Sequence, residues 1–191
     1  MLDTEFLTIL GLGLVLGLRH ALDTDHLAAV STMLAQRPSL RASGMIGLSW
    51  GLGHTVVLLL AGAVVLVLRV SIPEPMALAA EFGVGMMLVF LGGMLAIRLV
   101  RERWHVHAHD HDGAQHVHLH SHALVEDHGH GHWWRDSIRP FCIGMAHGLA
   151  GSAALLILVL SSARSVSEGL MYIAVFGFGS IVGMVLVGMV V

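Results

Sequence analysis

Apolar residues in this chain come in long unbroken blocks rather than as a stripe recurring every three or four positions. Five blocks can be drawn, at about Thr4–Leu34, Ser43–Leu68, Met76–Val100, Ile138–Leu160 and Glu168–Val191. Each is long enough to cross a bilayer, whose hydrocarbon core takes about 20 helical residues. The pattern predicts an all-α integral membrane protein, a polytopic helical bundle in contact with lipid on its outer faces. Composition agrees: of 191 residues, 55% are hydrophobic and 12% charged, with mean hydropathy +0.79, too apolar for a soluble domain. The 23 glycines suit close approach of helices inside a membrane. A single cysteine, Cys142, excludes an internal disulfide and a cysteine-based zinc cluster. The N-terminus lacks a basic leader and a cleavage site, so the first helix is expected to be retained.

Charge orients the bundle. Arg37 and Arg41 flank the first connection, and Arg98, Arg101, Arg103, Arg135 and Arg139 flank the third. The second connection sets Arg69 against Glu74, and the fourth sets Arg164 against Glu168. By the positive-inside rule the first and third connections are cytoplasmic and the N-terminus lies outside the cell membrane. The third connection holds eleven of the fifteen histidines, in runs such as His105-Val-His-Ala-His-Asp-His111 and His128-Gly-His-Gly-His132. Its low apolar content predicts a disordered loop, readable as a low-specificity metal collector or as a solvated linker that meets metal only incidentally. The resulting division is a first repeat of three helices (1–103), a His-rich cytoplasmic loop (104–134) and a second, incomplete repeat of two helices (135–191).

One polar stretch interrupts the apolar blocks. Gly17-Leu-Arg-His-Ala-Leu-Asp-Thr-Asp-His-Leu27 places two histidines, two aspartates and an arginine inside the first span. Ionisable groups at that depth are costly and mark a pathway or a site. On a continuous helix advancing about 100° per residue, His20, Asp23 and His26 fall in one sector roughly 120° wide, with Asp25 on another side. Two imidazoles and a carboxylate suit a divalent first-row metal. Asp23 is read as a ligand, with Arg19 offering the alternative of a structural ion pair. Asp25 is read as a support that orients an imidazole through its other nitrogen, or as a ligand if the helix unwinds there. His54 and His147 lie near the middle of the second and fourth spans. A single such histidine is ordinarily a hydrogen-bonding helix contact; together at matching depth they extend the candidate metal set to His20, Asp23, Asp25, His26, His54 and His147. The eleven methionines are scattered and read as core packing.

The chain also repeats itself. Gly17-Leu-Arg-His20-Ala-Leu and Gly144-Met-Ala-His147-Gly-Leu share Gly-x-x-His-small-Leu; Gly51-Leu-Gly-His54-Thr-Val and Gly177-Phe-Gly-Ser180-Ile-Val share Gly-x-Gly-x-x-Val. The charge rule sends the first span inward and the fourth outward, so the halves would be inverted repeats, a 3+3-like architecture with the site near the midplane. Five spans are present. A sixth, partnering the third, is expected to be missing from these residues or supplied from elsewhere.

Arg19-His-Ala-Leu-Asp-Thr-Asp-His-Leu27 resembles the signature of the nickel/cobalt transporter (NiCoT) family, usually His-Ala-x-Asp-Ala-Asp-His. Leu52-Gly-His-Thr-Val-Val57 is similar to that family's second motif, Leu-Gly-His-Ser-x-Val-Val. Gly144-Met-Ala-His-Gly-Leu-Ala-Gly-Ser152 is similar to its short branch of urease-accessory-type membrane proteins. The likeness covers all five spans but not the His-rich loop; Thr24 stands where the family usually has Ala. It implies uptake of Ni²⁺ or Co²⁺ for metalloenzymes such as urease, with His20, Asp23, Asp25, His26 and His54, and more weakly His147, as site residues. Longer members have eight helices with the signature in the second, which again puts this N-terminus outside.

The expected function is therefore transport of nickel or cobalt as substrate, most simply uptake through a midplane His/Asp site, with onward transfer to cytoplasmic metallochaperones of a nickel enzyme. Efflux and a non-transporting metal-buffering accessory protein are the rivals. No phosphate-binding Gly-x-x-x-x-Gly-Lys-Ser/Thr occurs, so direct ATP use is not expected, and no His-Glu-x-x-His, so neither is a metalloprotease. No enzyme activity, organic cofactor or nucleic-acid partner is expected.

Overall fold

A computed structural model of the chain describes residues 4–34, 39–101, 105–111, 114–120 and 133–190. Six helices follow one another: α1 (Thr4–His20), α2 (Thr24–Leu34), α3 (Leu40–Leu68), α4 (Glu74–Arg101), α5 (Trp133–Ser162) and α6 (Val166–Val190). Between α4 and α5 lie the strands β1 (His105–His111) and β2 (Ala114–His120). Arg37, Arg103, residues 121–132 and Val191 fall outside the described residues. Among those described, α3, α4 and α6 are each long and apolar enough to span a bilayer. The pair α1–α2, bent by 52° where it breaks, would be a fourth if it forms one span. The protein is a multi-pass helical membrane bundle.

The helix ends are set by local chemistry. Ser39 caps α3, its hydroxyl accepting from Ala42 N at 3.2 Å, and Arg69 ends it in the left-handed region at φ 52°. At the start of α6 the Ser165 hydroxyl accepts from Glu168 N, while the Glu168 carboxylate reaches back to Arg164 N at 3.0 Å. These bonds satisfy amide groups that a helix start would otherwise leave open.

The central pair is α3 and α6; α1 lies against α6, and α5 against α3. Glycines let the backbones touch. A Cβ on Gly17 of α1 would overlap the carbonyl of Phe176 on α6, and one on Gly144 of α5 would overlap the carbonyl of Trp50 on α3. The reciprocal contacts also match: Gly179 of α6 meets the Leu14 carbonyl of α1, and Gly53 of α3 meets that of Phe141 on α5. Such approach replaces the hydrophobic drive that lipid does not supply between helices. Two apolar clusters result. One is built around Ala29, Val30, Ile46, Trp50 and Met184, the other around Leu58, Leu66, Val159, Ile173 and Phe176. By contrast α4 stands at the edge, and among its described residues only Val84 is buried.

Two sequence expectations change. The first span is not one continuous helix, so the shared face expected for His20, Asp23 and His26 does not exist. And the His-rich connection, expected to lack structure, carries an antiparallel hairpin pairing His105 with His120, His107 with His118 and His109 with His116. The reason is visible in the sequence. Histidine alternates with Val, Ala or Leu through most of both strands, the period of a strand rather than of a featureless linker.

Candidate metal centre

The site is assembled at the break between α1 and α2. Asp23-Thr24-Asp25 are residue types that compete with helix-interior hydrogen bonds and favour helix starts. Here α1 closes with tight turns, Leu22 N donating to Arg19 O at 2.9 Å and Asp23 N to His20 O at 3.1 Å. The Asp23 carbonyl then accepts the opening bond of α2, from Leu27 N at 3.0 Å. His20 is thus the last residue of one helix, while Asp25 and His26 sit in the first turn of the next, where the helix dipole favours a carboxylate.

Two more histidines come to meet them. His54 has fourteen residues of α3 on either side, and His147 is similarly central in α5. His26, His54 and His147 are all buried, and His20 partly so. Ring centroids lie 4.4 Å apart for His20–His26, 5.2 Å for His20–His54, 5.4 Å for His26–His54 and 4.5 Å for His26–His147. Two sets of three groups have ligand atoms within 4.8 Å of one another: His20, His26 and His54, and Asp25, His26 and His147. His26 belongs to both. Asp23 belongs to neither.

The carboxylates decide which imidazole nitrogens remain open. Asp23 Oδ2 lies 2.8 Å from His20 Nδ1; Asp25 Oδ1 lies 3.1 Å from His26 Nδ1, and Asp25 Oδ2 lies 2.8 Å from His147 Nε2. A carboxylate only accepts, so each bonded nitrogen carries the proton, and the opposite nitrogen of the neutral ring offers its lone pair. This carboxylate–histidine arrangement is the one that orients imidazoles toward a metal. Among the described residues, His26 Nε2, His147 Nδ1 and both nitrogens of His54 are buried without a hydrogen-bond partner. Leaving a buried polar group unpartnered costs about 1–3 kcal/mol, a cost that coordination of an ion would remove. No ion pair joins Arg19 to Asp23 among the described residues; Asp23 is spent on His20 instead. Asp23 and Asp25 are 52% and 41% exposed, whereas His26, His54 and His147 are buried.

Two residues of this site were not singled out from the sequence. Trp50 is fully buried, with its ring 5.0 Å from that of His26 and 5.5 Å from that of His147. Phe176 lies 5.3 Å from the His20 ring. Trp50 precedes His54 by one helical turn on the same face of α3, and that spacing was the available signal. Phe176 comes from α6, whose relation to α1 no local pattern reveals.

Comparison with known proteins agrees with the motifs. The family model for NicO, high-affinity nickel-transport protein, matches residues 6–190. The urease accessory protein UreH of Bacillus sp. (strain TB-90) is 37% identical over 184 residues, covering 95% of this chain and 75% of that protein. No solved structure matches. With its signature histidines gathered at a helix break and the family match running through nearly the whole chain, this protein belongs to the NicO family of nickel transporters.

Proposed function

We propose that the protein takes up Ni²⁺, with Co²⁺ as the alternative substrate, across the cell membrane through the histidine cluster. The observation that carries this reading is the set of three imidazoles, His20, His26 and His54, with ligand atoms within 4.8 Å of one another. Two of the three are oriented by carboxylates on their far nitrogens. Imidazole nitrogen is a good ligand for a borderline divalent ion such as Ni²⁺ and a poor one for Mg²⁺ or Ca²⁺, which prefer oxygen. Asp23 and Asp25 supply negative charge that offsets the loss of hydration water. The central positions of His54 and His147 in long helices support a site near the membrane midplane.

In this reading the spans number five, α1–α2 counting as one and α5 as another, and the halves form an inverted repeat. The matched contacts of Gly17 with Gly144, and of Gly179 with Gly53, support that duplication. The N-terminus lies outside and the His-rich hairpin in the cytoplasm, where it collects incoming metal and passes it to metallochaperones of a nickel enzyme. The name of the urease accessory relative supports such a partner. An inside-negative potential favours inward movement of a divalent ion by roughly 4.6 kcal/mol per 100 mV, enough to drive accumulation without nucleotide hydrolysis.

The test is accumulation of radioactive nickel, supplied at nanomolar concentration, by cells expressing the wild-type protein, His20→Ala, or a version lacking residues 105–132. Uptake lost in His20→Ala and largely kept without the hairpin is the expected result. Less metal in expressing cells than in empty controls would reverse the direction. No change in either sense would overturn transport and leave buffering.

A further inference from the structure

Resting on the reading of this cluster as a nickel site, we infer that it offers one ion two alternative positions that share His26. The first position is all imidazole, His20, His26 and His54; the second contains a carboxylate, Asp25, His26 and His147. The sharing follows from the break in the first span. Because α2 starts anew at Thr24, His26 meets His20 and His54, with ring centroids at 4.4 and 5.4 Å, and also His147 at 4.5 Å.

Among the described residues, His147 groups with Asp25 and His26 and not with the three imidazoles of the first position. The ring pairs in contact join it to His26 and Trp50, and its Nε2 is held by Asp25. Two divalent ions at both positions would have to share one imidazole and would repel each other at a few ångströms' distance, so occupancy by a single ion is favoured. A single ion can instead move from one position to the other by exchanging His20 and His54 for Asp25 and His147, one ligand at a time, passing from the open Nε2 of His26 to its Nδ1 as the protons of His26 Nδ1 and His147 Nε2 shift to the opposite nitrogen of each ring. The route never strips the ion bare in a low-dielectric interior, where an uncompensated charge is most costly. It also carries the ion from the contact between α1 and α3 toward α5, and so from one half of the bundle to the other. Trp50, packed edge-on against both His26 and His147, walls the path with apolar surface and excludes competing water.

The experiment uses the full-length protein in lipid nanodiscs and reads the Ni²⁺ bound in excess of a reference. The reference is the variant with His20, His26, His54 and His147 all changed to Ala, whose hairpin histidines are intact. Stoichiometry and affinity come from equilibrium dialysis, ligand type from nickel X-ray absorption, and flux from proteoliposomes. Wild type is expected to bind one ion above the reference. His54→Ala and His147→Ala are each expected to keep that ion, with affinity weakened by less than in His26→Ala, but with different ligands. The signal in His147→Ala should be imidazole-rich, and in His54→Ala carboxylate-containing. Both variants should lose flux by more than they lose affinity, and His26→Ala should lose the ion altogether. His54→Asn and His147→Asn, which retain a polar side chain, guard against misfolding and should give the same split.

Identical spectra and identical losses in the two single variants would mean one four-histidine site and overturn the proposal. So would two ions per chain above the reference, or one single variant abolishing binding while the other leaves it untouched. If wild type bound no ion above the reference, the nickel site itself would fail, an outcome distinct from all of these.

Discussion

Two helix contacts in the bundle share a pattern and differ in chemistry. The contact of α1 with α6 and that of α5 with α3 are made by corresponding residues, Gly17 on the Phe176 carbonyl and Gly144 on the Trp50 carbonyl. Yet α1 stops at His20 and restarts as α2, whereas α5 runs unbroken past His147 to Ser162. In register with Asp23, Asp25 and His26 the second half carries Ala150, Ser152 and Ala153. Close backbone approach occurs at both contacts, while the aspartates that join the histidine cluster lie at only one of them, at the break after α1. His147 therefore depends on the other half for its carboxylate partner, Asp25. The lesson is that glycine placement makes the scaffold, while a few polar residues at one helix break make the site.

The sharpest way to break this contrast is to remove the histidine common to both ligand groups. His26→Ala should lower nickel uptake at nanomolar metal by more than about 100-fold, since it removes a ligand outright rather than one of the outer partners whose loss costs 10–100-fold. Expression and melting should stay close to wild type, because an unpartnered buried nitrogen is removed along with the ring. Uptake within tenfold of wild type would place the site elsewhere.

Next come the carboxylates. Asp25→Asn disturbs two imidazoles, His26 and His147, whereas Asp23→Asn disturbs only His20. Nickel affinity should fall about 10–100-fold in Asp25→Asn and by visibly less in Asp23→Asn, measured by dialysis against the reference lacking the four site histidines. Equal losses would mean that the two aspartates act by general negative charge and not by orienting particular rings.

The scaffold makes the opposite prediction, symmetry. Gly17→Ala and Gly144→Ala each push a methyl into a carbonyl of the neighbouring helix, and both should destabilise the bundle by a similar amount, at least about 1–3 kcal/mol, as overpacking does. Gly83→Ala on α4, where a Cβ meets nothing within 4 Å, should be neutral or slightly stabilising. Melting temperatures in one detergent would show it. A large loss at Gly144 with none at Gly17 would end the idea that the two contacts are equivalent.

Much of this was readable in advance. Long apolar blocks announced the helices, and His20, His26, His54 and His147 stood out because each interrupts an apolar neighbourhood. The break after His20 was considered only as an alternative, because periodicity treats a span as continuous and the signal lay in Asp23-Thr24-Asp25, residues whose local bonding competes with the helix. Asp25 was nevertheless read as orienting an imidazole, and its carboxylate does bond His26 and His147; Asp23, read as a ligand, instead bonds His20. The β-hairpin was hidden for a different reason, since composition speaks for a linker while the alternation that favours strands is a pattern of order.

The smallest effect tests the contrast at its finest grain. Ser180 of α6 holds the place that His54 holds in α3, but its hydroxyl is engaged, donating to the Gly17 carbonyl at 3.2 Å. That carbonyl lies in the last turn of α1, where its own helical bond, from Ala21 N, is stretched to 3.3 Å. The hydroxyl thus supplies a donor where the break weakens one. Gly144, which makes the contact matching that of Gly17, lies inside the continuous α5, so the matching position on α3 need not supply a donor there and carries His54. Ser180→Ala should then cost about 0.5–1.5 kcal/mol, the usual net worth of one hydrogen bond, and also loosen His20 enough to weaken nickel binding a few-fold. Thr55→Val, which removes the similar buried bond from α3 to the Gly177 carbonyl at 3.2 Å, should cost as much stability without touching nickel affinity. If both variants weakened nickel binding alike, the hydroxyl of Ser180 would be one more helix contact and not a support for the break.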